Sequence, residues 1–460
     1  MDGKIRILFH NQDGAGVNYF RTLTPAMELE RNHSDEFYVE INPTLDFNDP
    51  TIVDYLKSFH IIHYHRQFLN DTKQMLNLVN ELRKSGTIMI VDIDDYWLLH
   101  KKHPYYQMSL ENNLAQPIIE NLKIADYVTT TSDVFADEIR NVTGRDNVSV
   151  FYNSVDPTWM KQFQNNWTPD PDGRVRITYM AGSSHMGDVE QLEGVMNVLS
   201  SDPDLKDKFK VIISGWDTEG STTDITFNQE FGTELQKRGL WNNKIVKAIN
   251  NSKGDVDKIP DLPIALKEKY RGKIFDQKQR DIASEESVYL VYEKILTDNH
   301  RMIKNPDYME WLMNYERNVN YEDEGNFARR WTQKANIYAS VLDETDIVIA
   351  PLADNTFNHM KSNLKQVECW TRKLPIVCSD VIPYNVHGRH MENCILIPSE
   401  KNAYKYWQKY LKKLILDADL RKKLGEQLYE DFKEEYNLAN VTKKRAEFYK
   451  AVVAKTLETV

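Results

Sequence analysis

The stretch Asp343–Tyr384, DETDIVIAPLADNTFNHMKSNLKQVECWTRKLPIVCSDVIPY, constrains the fold more than any other part of the chain. It reads as a buried strand (Ile347–Pro351), a polar loop, a helix starting near Lys361 and a second buried strand (Ile376–Ser379). Two largely apolar strands joined through a helix imply a right-handed parallel crossover in a sheet covered on both faces. In such sheets the loop at a strand's carboxyl end, with the helix N-terminus it feeds, is where an anion binds.

On that helix Lys361, Lys365 and Glu368 stand at i, i+4 and i+7, within about 60° of one another. Leu364, Val367 and Thr371 take a different face and meet the core. Two lysines at the positive end of a helix dipole cost stability unless an anion lies against them. The backbone N–H groups of Ser362 and Asn363 would aim at the same anion, and Glu368, one turn deeper, could accept hydrogen bonds from a ribose diol. The competing reading is a solvated face with a Lys365–Glu368 pair worth about 0.3 kcal/mol.

The rest of the chain repeats the strand–helix rhythm. Ile5–Phe9 runs into a turn holding Gly14 and Gly16 and then a helical segment with Arg21. A dinucleotide fingerprint needs a third glycine where Tyr19 stands, so an NAD site is disfavoured. Strand signals follow at Phe37–Ile41, Ile61–Tyr64, Ile88–Ile93, Tyr127–Thr130 and Val148–Phe151, separated by helical stretches such as Asp71–Lys84 and Val134–Val142. Two strand ends carry polar clusters, His63-Tyr-His65-Arg66 and Asp92-Ile-Asp94-Asp95, and the carboxyl-edge rule points both at one cleft. Asp94 and Asp95 admit three readings: active-site carboxylates, metal ligands, or a cap of the following helix or turn. His65 and Arg66 are either site residues or locally bonded strand-end groups.

Asn153-Ser-Val-Asp156-Pro157 reads as a domain crossing and 165–173 as a linker. A second series starts with a strand at Arg176–Met180, a turn holding Gly182 and Ser183, an amphipathic helix at Val189–Leu199 and a strand at Lys210–Ser214. Gly182 and Ser183 could offer N–H groups to phosphate, but no Gly-Lys-Ser/Thr follows, so this is not a Walker A loop. Between 218 and 326 the alternation stops. That span reads as a mostly helical insertion, with helices at Glu286–Leu296 and Tyr308–Val319, and Arg329-Arg-Trp331 rejoins the sheet. Helical patterns run from about Lys401 to the end.

Size and charge exclude several classes. A chain of 460 residues exceeds one ordinary core, and a net charge of −11 argues against broad nucleic-acid binding. Three cysteines make no disulfide framework or zinc pair. Neither a signal-type apolar region nor a run long enough to cross a membrane is present, which leads to the expectation of a cytoplasmic protein.

Several segments together resemble the "glycosyl transferases group 1" (family-4-like) enzymes of GT-B fold. They are Asp346-Ile-Val-Ile-Ala-Pro-Leu352, Phe357-Asn-x-x-Lys361-Ser-Asn-Leu-Lys365-x-x-Glu368, Leu374-Pro-Ile-Val-Cys-Ser-Asp380 and Ile382-Pro-Tyr384. Ala125-Asp126, Ser132 and Asn153-Ser-Val-Asp156 resemble the approach to the family's domain crossing. The resemblance implies an α/β protein of two Rossmann-like domains facing a cleft. An acceptor domain would span 1–165, a donor domain 166–440 with the insertion at about 218–326, and a C-terminal helix 441–460 would return to the first domain.

It further implies metal-independent, retaining transfer of a sugar from a UDP- or GDP-sugar to a glycan or other hydroxyl acceptor. No cofactor is implied, and peripheral membrane contact stays open. Donor diphosphate would lie against Gly182, Ser183, Lys361, Ser362, Asn363 and Lys365, the ribose on Glu368, and the base near Arg330 and Trp331. Acceptor would enter near Gly14, Gly16, Arg21, His65, Arg66 and Asp94, with Asp94 or Asp95 as base if the reaction inverts. Three departures stand out. Met360 replaces the first of the family's paired glutamates, Ser183 and Asp188 replace its Arg…Lys pair, and the Asp92–Asp95 cluster replaces a histidine. Rival readings are a GT-B glucosyltransferase acting on modified DNA bases and a non-catalytic GT-B-like scaffold.

Overall fold

Two six-stranded parallel sheets carry the chain. The computed structural model describes residues 3–11, 16–216, 220–252, 255–282, 292, 295–296, 327–331 and 333–459. The first sheet has the order β2-β1-β3-β4-β5-β6, from β1 (Ile5–His10), β2 (Phe37–Ile41), β3 (Ile61–His65), β4 (Ile88–Asp92), β5 (Tyr127–Thr130) and β6 (Val148–Val150). β3 and β4 are buried at every position because helices cover both faces, and the apolar run Ile88–Val91 in β4 reflects that. The covering helices end as their sequences dictate. Asp71 caps Thr72–Lys84 by accepting from the Gln74 N–H, Ser132 caps Asp133–Thr143 through Phe135, and Gly144 closes the latter at φ +70°.

The second sheet has the order β11-β8-β7-β12-β13-β14. Its strands are β7 (Val175–Met180), β8 (Phe209–Trp216), β11 (Phe327–Trp331), β12 (Ile347–Ala350), β13 (Ile376–Ser379) and β14 (Ile395–Ile397). Strand order reverses direction between β1 and β3 in the first sheet and between β7 and β12 in the second, the places where open parallel sheets hold ligands.

Two expected features are corrected. The amphipathic helix at 189–199 is broken into Met186–Val189, a 3-10 turn at Glu190–Leu192 and Val195–Ser201, because Gly194 turns the chain at φ +75°. The inserted span also holds sheet. β9 (Gly220–Phe227) pairs antiparallel with β10 (Phe275–Ile282), and three helices between them close on Phe231, Leu235, Ile249, Ile259 and Leu266. The expected helix at 308–319, and most of that at 286–296, lie outside the described residues.

The two sheet domains are tied where the chain crosses. The Val155 N–H donates to the Tyr436 carbonyl (3.1 Å), and the Leu438 N–H donates to the Val155 carbonyl (3.0 Å). Beyond that bridge the C-terminal helix Leu438–Thr459 lays Ala446, Tyr449 and Val452 on the first sheet, against Ile7, Phe9 and Ile61. Among the described residues no helix is long and apolar enough to cross a membrane.

Candidate functional site

Loops from both strand-order reversals converge on one polar region. In the second domain the β7 and β12 loops are laced together by Asp188, which is almost wholly buried. Its Oδ1 accepts from the Ala353 N–H and from Asn358 Nδ2, both at 2.8 Å, and its Oδ2 lies 2.8 Å from His185 Nδ1. Asp188 thus stands where the resemblance placed a phosphate-binding cation, and its work is structural. Burial, with the charges of Lys361 and Lys365, keeps the His185 ring below its usual pKa despite the Asp188 bond. Gly182 is exposed, with open space where a Cβ would stand, and Ser183 opens a 3-10 turn. Tyr292, from the far end of the insertion, donates to the Gly182 carbonyl (2.7 Å) and packs edge-on to Tyr179.

The helix after β12 begins later than expected. It spans Leu364–Trp370, so Lys361, Ser362 and Asn363 lie in the turn before it and the dipole argument does not apply to Lys361. Both lysines meet carboxylates of the chain itself. Lys361 Nζ stands 4.7 Å from the centre of the Phe357 ring and 3.9 Å from Asp95 Oδ1, a carboxylate of the first domain. Lys365 pairs with Glu368 at 2.9 Å, as the competing reading had it. Glu368 is buried, and its other oxygen accepts from the Tyr338 hydroxyl, whose pKa burial and this carboxylate push well up. A ribose reaching Glu368 must displace one of these partners. The Asn363 side chain is also turned inward, donating to the Tyr436 hydroxyl (2.8 Å), so the expected contact of this residue rests on its backbone N–H alone.

Met360, at the position of the missing glutamate, is buried with Phe357 in the apolar cluster built on Val91, Ile93, Tyr96 and Trp97 of the first domain. The loop that would carry a sugar-binding carboxylate is used here to join the domains. A recess of about 120 Å³ opens beside it, lined by His100, His103, Ser184, Asp354, Asn355 and Phe357 among others.

The first domain contributes the ends of β3 and β4. His65 Nε2 lies 3.0 Å from Asp94 Oδ1, and Arg66 reaches Asp95 Oδ2 at 3.4 Å. Burial pulls the Asp94 carboxyl upward, but the His65 hydrogen bond and the charges of His65, Arg66 and Arg21 outweigh it and hold it below the usual range. Arg66 takes φ +57°, a left-handed conformation that residues with a Cβ rarely adopt and one that clusters at functional sites. The next helix starts at Tyr106, so neither aspartate caps one; Arg66 stands 3.8 Å from Asp94 and 3.4 Å from Asp95, which also has Lys361 at 3.9 Å.

Three remaining expectations fare differently. Gly14 lies outside the described residues, while Gly16 opens the helical turn Gly16–Asn18. Arg330 is engaged by Glu344 at 2.5 and 2.8 Å, beside the end of β11. Arg21 does not face an acceptor. Wholly buried, it spends all five N–H groups: two on Asp92 (2.9 and 2.6 Å), and the others on the Phe151 carbonyl (2.5 Å), the Asn153 Oδ1 (3.2 Å) and the Thr130 carbonyl (3.3 Å). Asn153 in turn donates from Nδ2 to Ser362 Oγ at 2.9 Å. Asn153 and Asn358 stand in motifs quoted above, but their partners, 209 and 170 positions away, and the place of Tyr338 against Glu368, 30 positions on, are marked by nothing local.

No known family's sequence profile matches the chain, and no curated protein is similar to it in sequence. Solved structures are similar in fold. Sucrose-phosphate synthase from Thermosynechococcus elongatus aligns over 98% of this chain and 100% of that one, with TM-score 0.55 and 10% identity. HepE from Anabaena, in complex with UDP and glucose, aligns over 97% and 99%, with TM-score 0.54 and 11% identity. A UDP-forming α,α-trehalose-phosphate synthase from Burkholderia vietnamiensis aligns over 98% and 99%, with TM-score 0.51 and 9% identity. The chain has the two-domain GT-B fold of these structures.

Proposed function

We propose that the chain is a glycosyltransferase that moves a hexose from a nucleoside-diphosphate sugar, UDP- or GDP-linked, to a hydroxyl acceptor. The observation that carries this reading is the meeting of Lys361 with Asp95 at 3.9 Å, which brings second-domain cations to the polar ends of β3 and β4. Structural neighbours of the same fold, one in complex with UDP and glucose, support the donor class. In this reading Lys361, Lys365 and the Ser362 hydroxyl receive the diphosphate, and the lysines neutralise the charge that grows on it as the glycosidic bond breaks. They supply the charge that a metal ion would otherwise provide, and no cofactor is required.

Asp94 is better suited to orienting His65 than to accepting a proton. A base works best when its pKa lies near the operating pH, and this carboxyl is held below even the ordinary carboxylate range. We therefore assign deprotonation of the acceptor to the departing phosphate, with retention at the anomeric carbon. The test is release of nucleoside diphosphate from UDP-, GDP- and ADP-sugars, and of CMP from CMP-sugars, by the purified chain. Turnover of a UDP- or GDP-sugar with retained anomeric configuration is expected. A protein that neither binds nor hydrolyses any of them is not a transferase of this type.

A further inference from the structure

Arg21 and Asn153 form a relay between the buried ion pair of the first domain and the turn ahead of the Leu364–Trp370 helix. Arginine has only donors, so the Asn153 atom 3.2 Å from Arg21 Nη1 must be the carbonyl oxygen. The amide is thereby fixed one way round, and the atom facing Ser362 must be the NH₂ group. At 2.9 Å it donates, and Ser362 Oγ accepts. The Ser362 hydroxyl hydrogen is therefore turned away from Asn153, and among the described residues it has no acceptor. Ser362 is half-buried between Lys361 and the inward-turned Asn363, so its hydrogen is left for a group that arrives from outside.

We propose that Asn153, locked by Arg21, is a positioning residue that keeps the Ser362 hydroxyl a donor toward the diphosphate of the bound nucleotide. This rests on the reading of the Lys361–Lys365 turn as a diphosphate site. It adds that the first domain sets the hydrogen-bond polarity of a second-domain ligand contact. Asn153 touches no reacting atom. Its effect passes wholly through Ser362.

The test is a double-mutant cycle with UDP as probe and uridine as the phosphate-free control, read by calorimetry on the full chain. In Asn153→Asp the carboxylate still accepts from Arg21 but takes the Ser362 hydrogen for itself. UDP affinity is expected to fall about tenfold, the loss of one hydrogen bond to a charged group, with uridine affinity unchanged. Ser362→Ala is expected to lose the same factor, and adding Asn153→Asp to it to lose nothing more. With Ser362→Thr, which keeps a hydroxyl, the Asn153→Asp penalty is expected to persist. If Asn153→Asp fails to fold, Asn153→Ala takes its place in the cycle with the same expected non-additivity. Additive losses, or wild-type UDP affinity in Asn153→Asp, overturn the relay while leaving the transferase reading in place. A wild type that binds UDP no better than uridine, and GDP no better than guanosine, overturns both.

Discussion

Residues with one identity in sequence took opposite roles according to burial. Arg21 and Arg66 both follow a strand of the first sheet, and both looked like cleft residues. Arg21 is sealed against Asp92, whose carboxyl it holds far below its usual range against the pull of burial. Truncating it in Arg21→Ala strands a buried carboxylate, and the expected loss is about 3–5 kcal/mol of unfolding free energy in urea denaturation. His63, beside this pair, is depressed to about 3, chiefly by burial, so it is neutral in the folded chain and protonated near pH 6.5 once unfolded. The unfolded state therefore binds the extra proton throughout the window from 6.5 down to about 3, and stability falls as pH falls through it. His63→Gln is expected to remove up to about 1.4 kcal/mol per pH unit of that acid sensitivity between pH 6 and 5. Unfolding midpoints at the two pH values check it, and equal slopes in variant and wild type would contradict it.

At the scale of elements, strands were legible wherever both faces are covered. β4 and β12 are buried at every position, and so announce themselves as apolar runs. β9 and β10 did not, because GSTTDITF and FDQKQRDI carry neither an apolar run nor a regular alternation. The turn ahead of the Leu364–Trp370 helix was half legible. The spacing of Lys361, Lys365 and Glu368 marked it, but helix onset after Asn363 and the tyrosine over Glu368 are decided by packing from elsewhere. One glycine tightens this region. Gly215, at φ +87° next to the last residue of β8, leaves only 2.7 Å between a would-be Cβ and the Ala181 carbonyl, one residue before Gly182. Gly215→Ala is expected to cost about 1–3 kcal/mol through strain and to loosen the Gly182 loop. Thermal unfolding and UDP titration measure the two effects, and an unchanged melting temperature would contradict the close approach.

For the molecule as a whole, the fold is a consequence of two parallel sheets whose carboxyl edges supply one polar region, with Val155 and Tyr436–Leu438 stitching the crossing. The net charge of −11 is compatible with a localised cation pair but not with a broad duplex-binding face. Lys361 and Lys365 are the groups on which the nucleotide-sugar reading depends, and comparing UDP with uridine isolates what they do. Wild-type protein is expected to bind UDP at least about tenfold more tightly than uridine, as charge-assisted bonds to a diphosphate should provide. Lys361→Ala and Lys365→Ala are each expected to erase most of that advantage while leaving uridine affinity unchanged. Calorimetric titration of both ligands into the three proteins decides it: an advantage for UDP that survives in both variants would place the diphosphate elsewhere.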